Sequence, residues 1–251
     1  MTCKYDERGN TTEVAFYGTD GKPCIKSVGF AKLTWKYDDR GNVTEEAYYG
    51  TDGEPCLNND GFAKLTWKYD ERGNKIEFAF WGTDGEPCLS SDGYAKVTWK
   101  YDERGNTTEQ AGFGTDGELC LHNNGYAKVT WKRDERGNDI EVVFYGTDEK
   151  PCSHNDGFTK VTRKYDERGN RTEEAYYGLN GKPCLHIDGY AKVIFKHDER
   201  GNITEMAYWG TDGEPCLSNK DGYAKVTAKY DERGNMIEEE FYDVNGKPIA
   251  E

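Results

Sequence analysis

Three stretches of this 251-residue chain place a cysteine two residues before a histidine: Cys120 and His122, Cys152 and His154, Cys184 and His186. Thiolate and imidazole are donors that zinc and other soft cations prefer, so zinc is the first cofactor to weigh. The equivalent positions elsewhere hold Lys26, Asn58, Ser90 and Ser218, and drift among polar loop residues explains the histidines at least as well. A second set is Trp35, Trp67, Trp99 and Trp131, with Arg163, Phe195 and Ala228 at the same position later on. Aromatic faces repeated at a fixed pitch could stack sugar rings. Leu33, Leu65, Val97 and Val129 alternate with them on the same side, which favours the interior of a curled sheet. Oxygen donors gather around Asp52, Asn58, Asn59 and Asp60, where calcium is the ion to consider. The EF-hand order is absent, and Asx turns account for such residues without an ion. The expectation is therefore no cofactor, with zinc or calcium as the alternative.

These positions recur because the chain is one segment written repeatedly. The pair Gly-Asn falls at Gly9-Asn10, Gly41-Asn42, Gly73-Asn74 and so on to Gly234-Asn235, at intervals of 32 residues except for a last one of 33. Such a period marks a tandem array, and residues 1–251 are read as a single array of eight units whose first is truncated at its N-terminal side. Cysteine holds one position from Cys24 to Cys216 and gives way to Ile249 in the eighth unit. A slot that accepts Cys or Ile is a small apolar pocket holding a free thiol. Equivalent atoms two strand spacings apart lie roughly 9–10 Å from one another, too far for disulfides between neighbouring units.

Composition limits the partners. The net charge is −14, which opposes duplex nucleic acid and anionic membrane surfaces, and no apolar run is long enough for a membrane-spanning helix. Apolar residues make up 35% and aromatics 14% of the chain, so aromatic side chains must supply most of the buried area. No signal peptide opens the sequence. Met1 as a native start would place the protein in the cytoplasm.

The elements that position all these side chains can be read from one unit. Phe62 to Tyr69 alternates, with Ala63, Leu65, Trp67 and Tyr69 on one side and Lys64, Thr66 and Lys68 on the other, as a half-buried strand does. Asp70-Glu71-Arg72-Gly73-Asn74 then fits a type I turn closed by a left-handed glycine. Lys75 to Trp81 is a second strand, and the Gly82 to Pro87 cluster a second turn, with Pro87 excluded from the middle of a sheet. Two strands per unit and no helical period predict an all-β chain, its hairpins stacked as a solenoid or joined in one long curled antiparallel sheet. Glu45, Glu77 and their equivalents recur once per unit. Alternation sets Glu45 beside Ala47 and Tyr49, on a face expected to be buried, where it should meet a lysine or arginine.

Tyr69-Asp70-Glu71-Arg72-Gly73-Asn74, followed by a short strand and the Asp84-Gly85 turn, resembles the YD repeats of the Rhs family. That resemblance implies antiparallel sheet wound into shells or scaffolds, a place within a larger bacterial protein, and an extracellular or cell-surface location. Rhs units are usually shorter than these. A weaker likeness is to the aromatic hairpin repeats of choline-binding and toxin cell-wall-binding proteins. Neither likeness carries over a catalytic residue. The chain holds no nucleophile elbow, no zinc-protease motif and no phosphate-binding glycine loop, and one site copied eight times is how scaffolds are built. The expected function is a non-enzymatic structural or binding scaffold whose partner is a protein or a cell-surface glycan. The alternative is a carbohydrate-binding module using successive aromatics. End-to-end self-association of arrays is a further expectation.

Overall fold

The computed structural model describes residues 1–249. It divides into two compact units, Met1–Asn123 and Asn124–Glu251. The described residues form strands and turns without helix, so none supplies a helix long and apolar enough to cross a membrane. The first unit contains β1 (Thr2–Tyr5), β2 (Thr11–Ala15), β3 (Lys32–Tyr37), β4 (Val43–Tyr49), β5 (Lys64–Tyr69), β6 (Lys75–Trp81), β7 (Lys96–Tyr101) and β8 (Thr107–Phe113). The second contains β9 (Lys128–Arg133), β10 (Asp139–Tyr145), β11 (Lys160–Tyr165), β12 (Arg171–Tyr177), β13 (Lys192–His197), β14 (Ile203–Trp209), β15 (Lys225–Tyr230) and β16 (Met236–Tyr242). Within each unit every strand pairs antiparallel with its sequence neighbour, as β3 with β4 and β4 with β5. Of the two expected architectures, each unit adopts the sheet.

The tight hairpin is the turn its sequence predicts. The Gly41 amide donates to the Asp38 carbonyl at 3.1 Å and Gly41 has φ +86°, the left-handed value that closes a type I turn into a bulge. The long connection back to the next strand is two more turns of the same kind. Gly53 donates to Gly50 and Gly61 to Asn58 at 3.3 and 3.1 Å, while Gly50 donates to Glu54 and Asn58 to Phe62 at 2.9 Å each. Pro55 touches the ladder through one isolated bridge to Tyr49, consistent with its missing amide.

Register assigns the faces. Leu33 lies opposite Tyr48 and Trp35 opposite Glu46, whereas Thr34 lies opposite Ala47 and Lys36 opposite Glu45. The tryptophans therefore share a face with Tyr48, which is 7% exposed. Glu45, Ala47 and Tyr49 occupy the other. Glu45 lies on the side of Ala47 and Tyr49 and meets a lysine as expected, Lys36 at 2.8 Å, but that face is only partly covered: Ala47 is buried while Tyr49 and Glu45 are half-buried. The core itself is a column of rings. In the first unit it runs Phe16, Phe30, Tyr48, Phe62, Phe80, with successive centroids 4.9–6.0 Å apart. In the second it runs Tyr126, Phe144, Phe158, Tyr176, Tyr190, Tyr208, Tyr223, Phe241, at 4.7–5.9 Å. Tilted and edge-on pairs at these separations are the geometry aromatic quadrupoles prefer.

Candidate functional site

Each cysteine of the Cys-x-His steps lies half-buried at the foot of a turn, pointing at the preceding repeat. Sγ of Cys120, Cys152 and Cys184 approaches the carbonyl oxygens of Gly93, Gly125 and Gly157 at 3.5, 3.7 and 3.7 Å. Burial raises the pKa of all three thiols above the ordinary cysteine value, which disfavours the thiolate that a metal or an electrophile needs. All eight cysteines are free; the ladder members are half-buried and Cys3 is exposed. The ladder slot is thus a partly, not fully, enclosed pocket.

The histidines join the ring column. His154 stacks between Tyr126 and Phe158, and His186 between Phe158 and Tyr190, with centroids 5.4–5.7 Å apart and planes within 29°. His122 stacks on Tyr94. Nδ1 of His154 and of His186 accepts the backbone amide two residues on, from Asp156 at 3.1 Å and Asp188 at 3.2 Å. A histidine in this slot does the work of the Asn58 side chain, whose Oδ1 accepts the amides of Asp60 and Phe62. Among the described residues no three His, Cys, Asp or Glu side chains converge on a point where a metal could sit. The donors therefore do not fit zinc. The proposed calcium donors are likewise dispersed into turns: Asp52 Oδ1 accepts the Glu54 amide, and Asn59 Nδ2 donates to the Ser27 carbonyl of the preceding repeat at 2.7 Å.

Trp35, Trp67, Trp99 and Trp131 lie half-buried on the core face, at its tight-turn end. Their indoles are engaged. Trp35 Nε1 donates to Glu46 Oε2 at 3.0 Å, Trp67 carries the Lys75 ammonium 5.5 Å from its ring, and Trp99 rests on Phe78 at 5.2 Å. Trp131 packs against the second unit's core. Shallow grooves open beside Trp35 and Trp99, lined largely by the charged residues of adjacent tight turns.

Sequence reasoning missed how the recurring polar side chains are used. Tyr37, Tyr69 and Tyr101 donate their hydroxyls to the carbonyls of Thr11, Val43 and Lys75, one repeat back, at 2.7, 2.9 and 2.6 Å. Arg8, Arg40 and Arg72 donate to the carbonyls of Asp39, Glu71 and Glu103, one repeat forward. The second unit repeats the pattern with Tyr165 to Asp139 and with Arg136 and Arg168 to Glu167 and Glu199. The signal available was the recurrence of a donor-bearing residue at 32-residue spacing. On the outer face Lys32, Lys64 and Lys96 set their ammoniums over Tyr49, Trp81 and Phe113 at 4.2–4.9 Å, a cation–π ladder.

No family model matches the chain, and no curated protein does. Solved structures similar to it include TcdB2-TccC3 in a crystal structure with Cdc42, at 13% identity and a TM-score of 0.35 over 96% of this chain and 11% of that one. Others are TcdB2-TccC3 alone, at 13% and 0.35 over 98% and 14%, and a mutant Tc holotoxin pore of Photorhabdus luminescens, at 12% and 0.31 over 95% and 13%. The chain spans between 11% and 14% of the length of these chains.

Proposed function

We propose that this chain is a non-enzymatic repeat scaffold, the repeat region of a larger bacterial protein, that holds protein partners at spacings set by its hairpins. One observation carries the reading: the polar side chains that recur from repeat to repeat are committed to the backbone of the neighbouring repeat, as Tyr69 to Val43 and Arg72 to Glu103. Side chains spent on adhesion between repeats support a framework role and leave few convergent groups for chemistry. The tryptophan line favours a sugar platform less, because its indoles are half-buried against the core face.

The test is an in-frame deletion of one repeat, residues 65–96, which joins Lys64 to Val97 and restores the local sequence. A scaffold built of equivalent hairpins should keep its β circular dichroism and a cooperative urea transition. A chain that loses its fold on this deletion would contradict the proposal. Tryptophan emission that is strongly quenched by acrylamide and shielded by a polysaccharide would transfer the lead to a binding module on Trp35, Trp67, Trp99 and Trp131.

A further inference from the structure

In the wide loops of the first unit the residue after each ladder cysteine is aliphatic: Ile25, Leu57, Leu89 and Leu121. Cys56 and Cys88 turn inward and pack against the ring column, while Leu57, Leu89 and Leu121 stay 51%, 54% and 52% exposed. The next position drifts through Lys26, Asn58, Ser90 and His122, so the turn tolerates polar residues there, yet the exposed slot stays apolar. These loops are held beside one another. Asn59 Nδ2 donates to the Ser27 carbonyl at 2.7 Å and Asn123 Nδ2 to the Ser91 carbonyl at 2.9 Å, and the β4 to β7 ladder joins the Leu57 loop to the Leu89 loop. The three leucines thus form a row at one end of the first unit's strands. The row is set in acid. Its loops carry exposed carboxylates, as Asp52, Glu54 and Asp60 do beside Leu57, and hold no lysine or arginine from Gly50 to Gly61, Gly82 to Gly93 or Gly114 to Asn123. In the second unit Ser153 interrupts the row, and Lys150, Lys182 and Lys220 enter the loops.

We infer that this row docks a cationic amphipathic helix of a partner protein, with the helix's apolar stripe on Leu57, Leu89 and Leu121 and its lysines or arginines against the flanking carboxylates. Pitch supports a helix. Neighbouring repeats lie two strand spacings apart, about 9–10 Å at the ladder, and sheet twist lengthens that step toward the strand ends. Two helical turns advance about 10.5 Å, so a single apolar stripe presents one residue to each leucine. A polyproline II chain repeats every three residues, about 9.3 Å, and falls behind the row. An added β-strand finds no free edge, because β4 to β7 each pair on both sides. A second copy of this chain would set like charges against each other. The partner is a protein, as the scaffold reading requires, so the inference rests on that reading; deleting a repeat tests the reading through the fold, titration tests the row, and each can fail alone.

Calorimetric titration of the full chain with a synthetic peptide of three Leu-Lys-Lys-Leu-Ala-Lys-Lys heptads tests it, with circular dichroism reading the helix against the all-β background. The native chain should bind the peptide and raise its helical signal. Leu57→Ser, Leu89→Ser and Leu121→Ser together should weaken binding at least about tenfold, while Leu185→Ser with Leu217→Ser in the second unit leaves it unchanged. Should the triple variant lose its β spectrum, Leu89→Lys alone decides instead, and must weaken binding measurably. Failure of the peptide to bind the native chain overturns the inference. So does binding that survives the row substitutions, or equal binding of a peptide of the same composition whose leucines are spread around the helix. Sedimentation showing that the native chain dimerises through these leucines would give the row to a second copy and overturn it too.

Discussion

At the position Trp35 occupies, the residue and its cross-strand partner change together. Trp35 faces Glu46, Trp67 faces Phe78, Arg163 faces Glu174 and Phe195 faces Met206, each a pair that satisfies itself across the ladder. The Arg163 step is the most demanding. Glu174 is 8% exposed and accepts from Arg163 Nε at 2.6 Å, Arg171 at 2.7 Å and the Tyr176 hydroxyl at 2.5 Å. Burial alone would raise its pKa, but the bonds from Tyr176 and Arg163 and the charges of both arginines outweigh it and hold the carboxyl below its usual range. Glu174→Ala should destabilise the chain by about 3 kcal/mol, because it strands the Arg163 charge and the Tyr176 hydroxyl in a partly dry site. Urea titration checks this; a change within 0.5 kcal/mol, of the order usual for surface substitutions, would show that the network adds nothing. The sequence displayed Arg163 in the tryptophan slot but could not disclose its partner, since that requires the register of two strands.

Among the elements, the tight hairpin was the most legible, because Asp, Gly and Asn each have one backbone reason to stand where they do. In every such turn the aspartate folds back on its own loop: Asp38 Oδ1 accepts the amides of Arg40 and Asn42 at 2.9 and 2.8 Å, and Oδ2 accepts Asn42 Nδ2 at 2.9 Å. The side-chain bond from Asn42, followed by the backbone amides, lowers the Asp38 pKa, and the same causes act on Asp70, Asp134 and Asp166. A carboxylate whose pKa is lower folded than unfolded adds stability above its unfolded pKa, near 3.9, and loses it as pH falls through the folded value. The urea midpoint should therefore drop as pH falls below about 4. Replacing Asp38, Asp70, Asp134 and Asp166 together by Asn should shrink that drop. An unchanged pH profile in the fourfold variant would show that other carboxylates govern acid unfolding. In the wide loop the turn at Gly82 to Pro87 was legible, while the second, tight turn was not singled out, because Asn-Asn-Asp-Gly shares only the closing glycine with Asp-Glu-Arg-Gly. One step manages without that glycine: Glu149 adopts φ +59°, and Lys128 binds its carboxylate at 2.7 Å. The buried ring column also went unassigned, since Phe62 and Phe80 looked no more apolar than Trp67 until the register divided the faces.

At the scale of the whole molecule, the hairpins of each unit are fastened to one another by side chains reaching backbone carbonyls one repeat away, in addition to the ladder and the ring column. Each such bond is worth about 0.5–1.5 kcal/mol, somewhat more from arginine, and each links elements that would otherwise open separately. The 32-residue period was visible from the sequence and told that such links must repeat; which side chains made them was not, because donor and acceptor lie in different copies. The most direct measurement is native-state hydrogen exchange on the chain carrying Tyr69→Phe and Arg72→Ala. These substitutions cut the bond from β5 back to Val43 and the bond from its turn forward to Glu103. Amide protection should fall by about tenfold in the β3–β4 and β7–β8 hairpins as well as in β5–β6. Loss of protection confined to β5–β6, or none at all, would contradict this fastening between hairpins.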